Sequence, residues 1–213
     1  LTLTPATAGP VPGRSRNLRE HGAAVGARAG AWARAMGLPS AVVADLVLAG
    51  TWHDEGKRDP RTQAALTMGL DAQGYLVPPD RPPSEPVARS GLPYRYWRRS
   101  RDLAGVPPRW RHEALSAELL GVALEQGRAR AHDVDLVLHL VLSHHGYFRG
   151  PGPLTPPGVG PRYQDPADPL WAEATRRFHR LNDRYGPYTL ALAETVLRLA
   201  DWDVSREEQD HGR

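Results

Sequence analysis

Apolar side chains recur at helical spacing through almost the whole of this 213-residue chain, and that spacing is interrupted at only two places. No stretch shows the alternation of a half-buried strand, and no pair of such stretches flanks a hairpin turn. The pattern predicts an all-α fold, a helical bundle with two long Pro/Gly-rich loops. Helices are expected over Asn17 to Met36, Ala41 to His53, Pro60 to Met68, Arg111 to Gln126, Ala131 to His144, Pro169 to Tyr185 and Pro187 to Glu208. Gly37-Leu38-Pro39 is a natural stop, with Ser40 as the expected cap of the second helix. Pro60, Pro169 and Pro187 suit first helical turns, where a missing N–H costs nothing. In His132-Asp133 the acid is placed to favour the positive end of the next helix. The interruptions cover about residues 70 to 110 and 149 to 169.

Residues 1 to 16 are rich in Pro, Gly and Thr and are expected to be a linker. The chain starts at Leu1 rather than Met, which suggests a segment of a longer protein. The helical domain is expected over 17 to 208, with a frayed polar tail over 209 to 213. With no cysteine, disulfides and thiolate metal sites are excluded, so any metal must sit on His, Asp or Glu. No apolar run approaches the roughly 20 residues of a membrane span, and no signal-peptide core is visible. A soluble cytoplasmic protein with no membrane partner is the expectation.

Seven side chains could together bind metal: His21, His53, Asp54, His112, His144, His145 and Asp201. Imidazole is the commonest ligand of transition metals, and a carboxylate can bridge two ions where imidazole binds one. Lys57, the single lysine of the chain, lies three residues after Asp54. A lysine supplies a compact mobile charge where arginine supplies a rigid fork, so a phosphate-contacting site need not accept the exchange. Ser116 lies four residues after His112 and Ser205 four after Asp201, each on the same helix face as its partner. Both, with Arg149, are candidates for supporting the ligands or touching phosphate. His139 lies among Leu136, Val137, Leu140 and Val141, where a core role outweighs ligation. His132, His179 and His211 have no assigned role.

The segment WHDEGKRDPR resembles the signature of the HD hydrolase superfamily, in which His-Asp is followed by Gly-Lys. His21, RHEALS around His112, His144-His145-Gly146 and LADWD around Asp201 extend the match in order. Over about residues 17 to 208 the set resembles the HD nuclease domain of the CRISPR-associated type I helicase-nuclease, most closely that of subtype I-G. The chain departs from the family pattern at Glu55, Thr62 and the residues after His-His-Gly.

The resemblance implies an all-α HD fold with one or two divalent ions, Mg²⁺, Mn²⁺, Co²⁺ or Ni²⁺. His21, His53, Asp54 and Asp201 would hold one ion, and Asp54, His112, His144 and His145 the other. Asp54 would be the bridge and Lys57 a contact to the scissile phosphate. It further implies single-stranded DNA as substrate, a helicase domain in the same chain and a guide-RNA surveillance complex as partners. Two ions so held activate a water for attack and neutralise charge on the leaving oxygen.

The stretch from Ala88 to His112 carries seven arginines with Tyr94, Tyr96, Trp97 and Trp110 around one acid, Asp102. Arginines track phosphates while aromatic faces stack on unpaired bases. Arg95, Trp97, Arg98, Arg99, Arg101, Arg109 and Arg111 are therefore candidate DNA contacts. The net charge of +3 is too small to argue for nucleic acid alone. Two rivals stand beside the nuclease: an HD phosphohydrolase acting on nucleotides, and an inactive HD module that only recruits partners.

Overall fold

The structure is a computed structural model that describes residues 17–108, 110–148 and 169–210. It is mostly helical. In chain order come α1 (Leu18–Ala35), α2 (Ser40–Trp52), a 3-10 turn (Glu55–Arg58), α3 (Pro60–Thr67), β1 (Gly69–Leu70), β2 (Leu76–Val77), a second 3-10 turn (Tyr94–Tyr96), α4 (Trp97–Leu103), α5 (His112–Glu125), α6 (Val134–Ser143) and α7 (Pro169–Asp210). The all-α reading therefore holds. Residues 1–16 and the stretch expected as the second loop, along with Arg109, Arg149 and His211, lie outside the described residues.

The ends of the helices follow local chemistry. Asn17 caps α1, its side chain accepting from the Glu20 N–H at 2.8 Å. At the far end Gly37 adopts φ 73°, so its N–H reaches Arg34 O and that of Leu38 reaches Ala33 O. This double closure needs a residue without a Cβ penalty. Ser40 is not the cap of α2: it is the first helical residue, after Pro39, and no side chain caps that end. Asp59 caps α3 by accepting from the N–H groups of Arg61 and Thr62, with Pro60 in the first turn. Asp133 caps α6, which consequently starts at Val134 rather than Ala131. The last two expected helices follow one another without a loop, as the two halves of α7, and meet at a kink at Gly186, whose φ of 74° is non-helical, with Pro187 following.

Besides the 3-10 turn at Tyr94–Tyr96, the stretch expected to be irregular holds a hairpin and a short helix. The first is the hairpin pairing Gly69 with Val77 and Leu70 with Leu76. Two residues per strand are too few to show an alternating pattern. Asp71 closes its turn by accepting from the N–H groups of Gln73 and Tyr75. The second is α4, too short to show a helical period. It is held by Trp97, which packs with Ala65, Val106 and Trp110 in a small second core.

The main core is shared by α1, α2, α5, α6 and α7, centred on Val25, Leu46, Leu120, Leu140 and Leu197. The approach of α1 to α2 is set by glycines. A Cβ on Gly22 would lie 2.5 Å from Thr51 O, one on Gly26 would lie 2.6 Å from Val47 O, and one on Gly50 would lie 2.7 Å from Gly26 Cα. Only hydrogen at these positions lets the two backbones meet. The close crossing brings His21, on α1, beside His53, at the end of α2. Among the described residues no helix is long and apolar enough to cross a membrane.

Candidate metal centre

Five elements deliver the seven side chains to one buried point. His21 comes from the first turn of α1, His53 and Asp54 from the end of α2, His112 from the first residue of α5, His144 and His145 from the end of α6, and Asp201 from the second half of α7. His21, His53, Asp54, His144 and Asp201 are all buried. Helix ends suit this task because a ligand there can turn inward without disturbing the packing of the helix behind it.

Asp54 lies at the middle, with its two oxygens facing different partners. Oδ2 is 3.6 Å from His21 Nε2 and 3.4 Å from His53 Nε2, while Oδ1 is 2.9 Å from His112 Nε2 and 3.8 Å from His144 Nε2. Asp201 Oδ1 faces the first pair, 3.4 Å from His21 Nε2 and 3.7 Å from His53 Nε2. The donors thus fall into two groups that can each hold a metal ion. His21, His53 and Asp54 form one and His112, His144 and His145 the other, the donor atoms within each lying no more than 4.8 Å apart.

The remaining ring nitrogens are fixed from behind. His53 Nδ1 donates to Gly50 O at 2.7 Å, and His144 Nδ1 donates to Val141 O at 2.7 Å. A carbonyl can only accept, so each bond turns Nε2 to the centre. His21 Nδ1 lies 3.1 Å from Glu208 Oε1, and His112 Nδ1 lies 3.5 Å from Glu113 Oε2. At the centre, His53 Nε2, Asp54 Oδ1, His112 Nε2 and His144 Nε2 are buried without a hydrogen bond of sound geometry. Orphaned polar atoms carry a desolvation cost, and four that converge on one point are the arrangement a cation satisfies. The residues therefore fit a divalent metal.

Charge differs across the two groups. Burial pulls the His53 imidazole down, but the Asp54 and Asp201 carboxylates outweigh it and push it up to about 10. Burial opposes the charged form of His21 as well, and Asp201, Glu208 and Asp54 reverse the sign. Both aspartates are held well below the usual carboxylate range by these histidines, against the effect of burial. His144 and His145 go the other way, lowered by burial and by neighbouring imidazoles. At neutral pH a metal entering the first group must displace protons, whereas His144 and His145 offer neutral rings. Metal affinity is expected to rise with pH chiefly on the His21/His53 side. Calorimetric titration in buffers of different ionisation heat should show proton release on binding, and a buffer-independent heat would contradict this.

Lys57 turns its ammonium onto Asp54 Oδ2 at 2.5 Å and onto Ala88 O at 3.2 Å. Ser205 Oγ donates to Asp201 Oδ1 at 3.2 Å, supporting that carboxylate. Ser116 has a different task from phosphate contact: its Oγ accepts from the Gly56 N–H at 2.8 Å and clamps the 3-10 turn to α5. His139 lies in the core, 2.7 Å from Glu194. Residues the sequence reading passed over include Glu208, Glu113 and Gln63. Gln63 pairs its amide with the backbone of Val87, accepting from its N–H and donating to its carbonyl.

The candidate DNA contacts divide by exposure. Arg95, Arg98 and Arg99 are exposed. Trp97 is half-buried against the second core, with the Arg101 guanidinium 5.8 Å from its ring centre. Arg101 also bonds Trp110 O, and Arg111 stacks on Tyr147 at 3.5 Å. Comparison with known proteins finds no matching family model, no matching curated protein and no matching solved structure.

Proposed function

We propose that this chain is a metal-dependent phosphodiesterase that degrades single-stranded DNA, acting with a helicase and a guide-RNA surveillance complex in type I CRISPR interference. The observation that carries the reading is Asp54, one carboxylate presenting an oxygen to each of two histidine groups. A pair of divalent ions held there would polarise a phosphodiester and lower the pKa of the attacking water.

The chain's own residues do the rest. His53 and His144 hold their Nε2 atoms toward the centre through backbone carbonyls. Lys57, whose ammonium rests on Asp54 and Ala88 O at the edge of the centre, would offer a charged donor to a phosphate oxygen. No protein nucleophile is required. Five imidazoles with two carboxylates favour first-row transition ions such as Mn²⁺, Co²⁺ or Ni²⁺ over Mg²⁺, which prefers oxygen ligands.

The cleft over the centre, ≈ 290 Å³, supports a polymer over a free nucleotide. Among the described residues Trp202 is the one large apolar ring that lines it, and the rest are polar, so these residues present no apolar walls to enclose a base as a nucleotide pocket would. The test is a cleavage assay on labelled single-stranded DNA, duplex DNA and a panel of nucleotides, with Mg²⁺, Mn²⁺, Co²⁺ or Ni²⁺ and an EDTA control. Single-strand degradation that disappears in EDTA is expected. Nucleotide hydrolysis with intact DNA would transfer the proposal to a phosphohydrolase, and inactivity with every ion would sink it.

A further inference from the structure

We infer that Arg89 and Trp202 seat an unpaired nucleotide at the mouth of the metal centre, the guanidinium taking a backbone phosphate and the indole taking a base. This deepens the nuclease reading and rests on it for the identity of the ligand. His21, His145 and Asp201 line the same cleft as Lys57, Arg89 and Trp202, so whatever occupies it touches both the predicted ligands and these two side chains.

Arg89 is the positioned cation. Its Nη1 donates to Ser205 O at 2.7 Å, tying it to the last turns of α7. Among the described residues no carboxylate lies within ion-pair distance of it. By contrast Arg206, in the same cleft, is paired with Asp203 at 2.7 Å. A guanidinium has five N–H donors, so most of the Arg89 fork is available to an anion. Its backbone is also fixed. The preceding residues are held by the Gln63 amide on Val87 and by Lys57 on Ala88 O. A cation ordered in advance loses little freedom on binding.

Trp202 follows Asp201 directly and is 53 % exposed at the lip of the cleft. The Arg198 guanidinium lies 5.1 Å from its ring centre, which steadies the indole and adds charge beside it. A base can stack on this ring only if its own face is free, which selects unpaired strands. The tryptophans of the arginine-rich segment are committed elsewhere: Trp97 and Trp110 fill the second core. Within this cleft the aromatic surface beyond the histidines is Trp202 of α7, a residue outside the expected set of DNA contacts.

The test is equilibrium binding of a short labelled oligothymidylate, followed by anisotropy in EDTA so that no cleavage intervenes. Trp202 is more than half exposed, so replacing it leaves the core intact. Trp202→Ala is expected to weaken binding about tenfold, with Trp202→Phe retaining most of the affinity. On an abasic strand the wild type and Trp202→Ala should bind alike. Arg89→Ala should reduce the slope of log affinity against log salt by about 0.7, one phosphate contact on a single strand. Equal binding by Trp202→Ala and wild type, an equal loss on the abasic strand, or no binding by the wild type would each overturn the inference. Trp202-dependent binding without cleavage under any ion would leave the seat standing and remove the nuclease.

Discussion

Asp54→Ala is expected to abolish metal-dependent cleavage, by on the order of 10³-fold or more, while leaving the helical fold intact. Removing a single charge-stabilising contact costs an active site about 10²–10³-fold. Asp54 is expected to cost at least the upper end, because its two oxygens face both histidine groups. The same change should lower the number of divalent ions bound per chain. The fold should survive because Asp54 lies outside the apolar core, which is built from α1, α2, α5, α6 and α7. Activity, metal content and the circular dichroism melt of the two proteins, compared at matched metal, check this. Cleavage retained with unchanged metal content would remove the bridge from the proposal.

Gly56→Ala is expected to destabilise the protein by about 3 kcal/mol, the upper range for forcing an extra carbon into a packed site, and to reduce metal binding with it. A Cβ at this position would run into the backbone carbonyl of His112 and come within 2.8 Å of Ser116 N. Neither is the yielding end of a side chain. The 3-10 turn would have to lift from α5, breaking the Gly56–Ser116 bond and separating Asp54 from His112. A loss of this size is a large fraction of the 5–15 kcal/mol that holds a typical domain together. Urea denaturation with and without metal reads it, and a variant as stable as the wild type would show that the turn can move freely.

These two residues also mark how far the chain can be read unaided. The motif around His53-Asp54-Glu55-Gly56-Lys57 announced a metal site, and its order with His21, His112, His144, His145 and Asp201 named the side chains that the structure brings together. The reason for Gly56 was not legible there, because the carbonyl it avoids belongs to a helix more than fifty residues on. Ser116 illustrates the same gap. Its spacing from His112 was visible, but that its hydroxyl clamps the turn instead of facing phosphate depends on which helix face meets α2's end. The roles of Glu208, Glu113 and Trp202 were not legible, since a charged or aromatic residue on a helix reads as surface until its neighbours are known, and Arg89 was visible only as one arginine of a basic stretch.

Periodicity and the chemistry of helix ends, which act over three or four residues, were enough to determine from sequence that the chain is helical and where most helices begin and stop, while the candidate ligands came from the resemblance of the His-Asp motif and its companions to the HD pattern. They missed Ser40, the small hairpin and α4, where elements are too short for a period or where tertiary packing set the boundary. Tertiary structure alone decided that glycines let α1 and α2 touch, that Asp54 turns one oxygen to each histidine group, and that the opening beside it is walled by Arg89 and Trp202. Those outcomes depend on how close backbones from distant parts of the chain approach, and on orphaned atoms meeting in a dry interior, neither of which any local stretch of residues encodes.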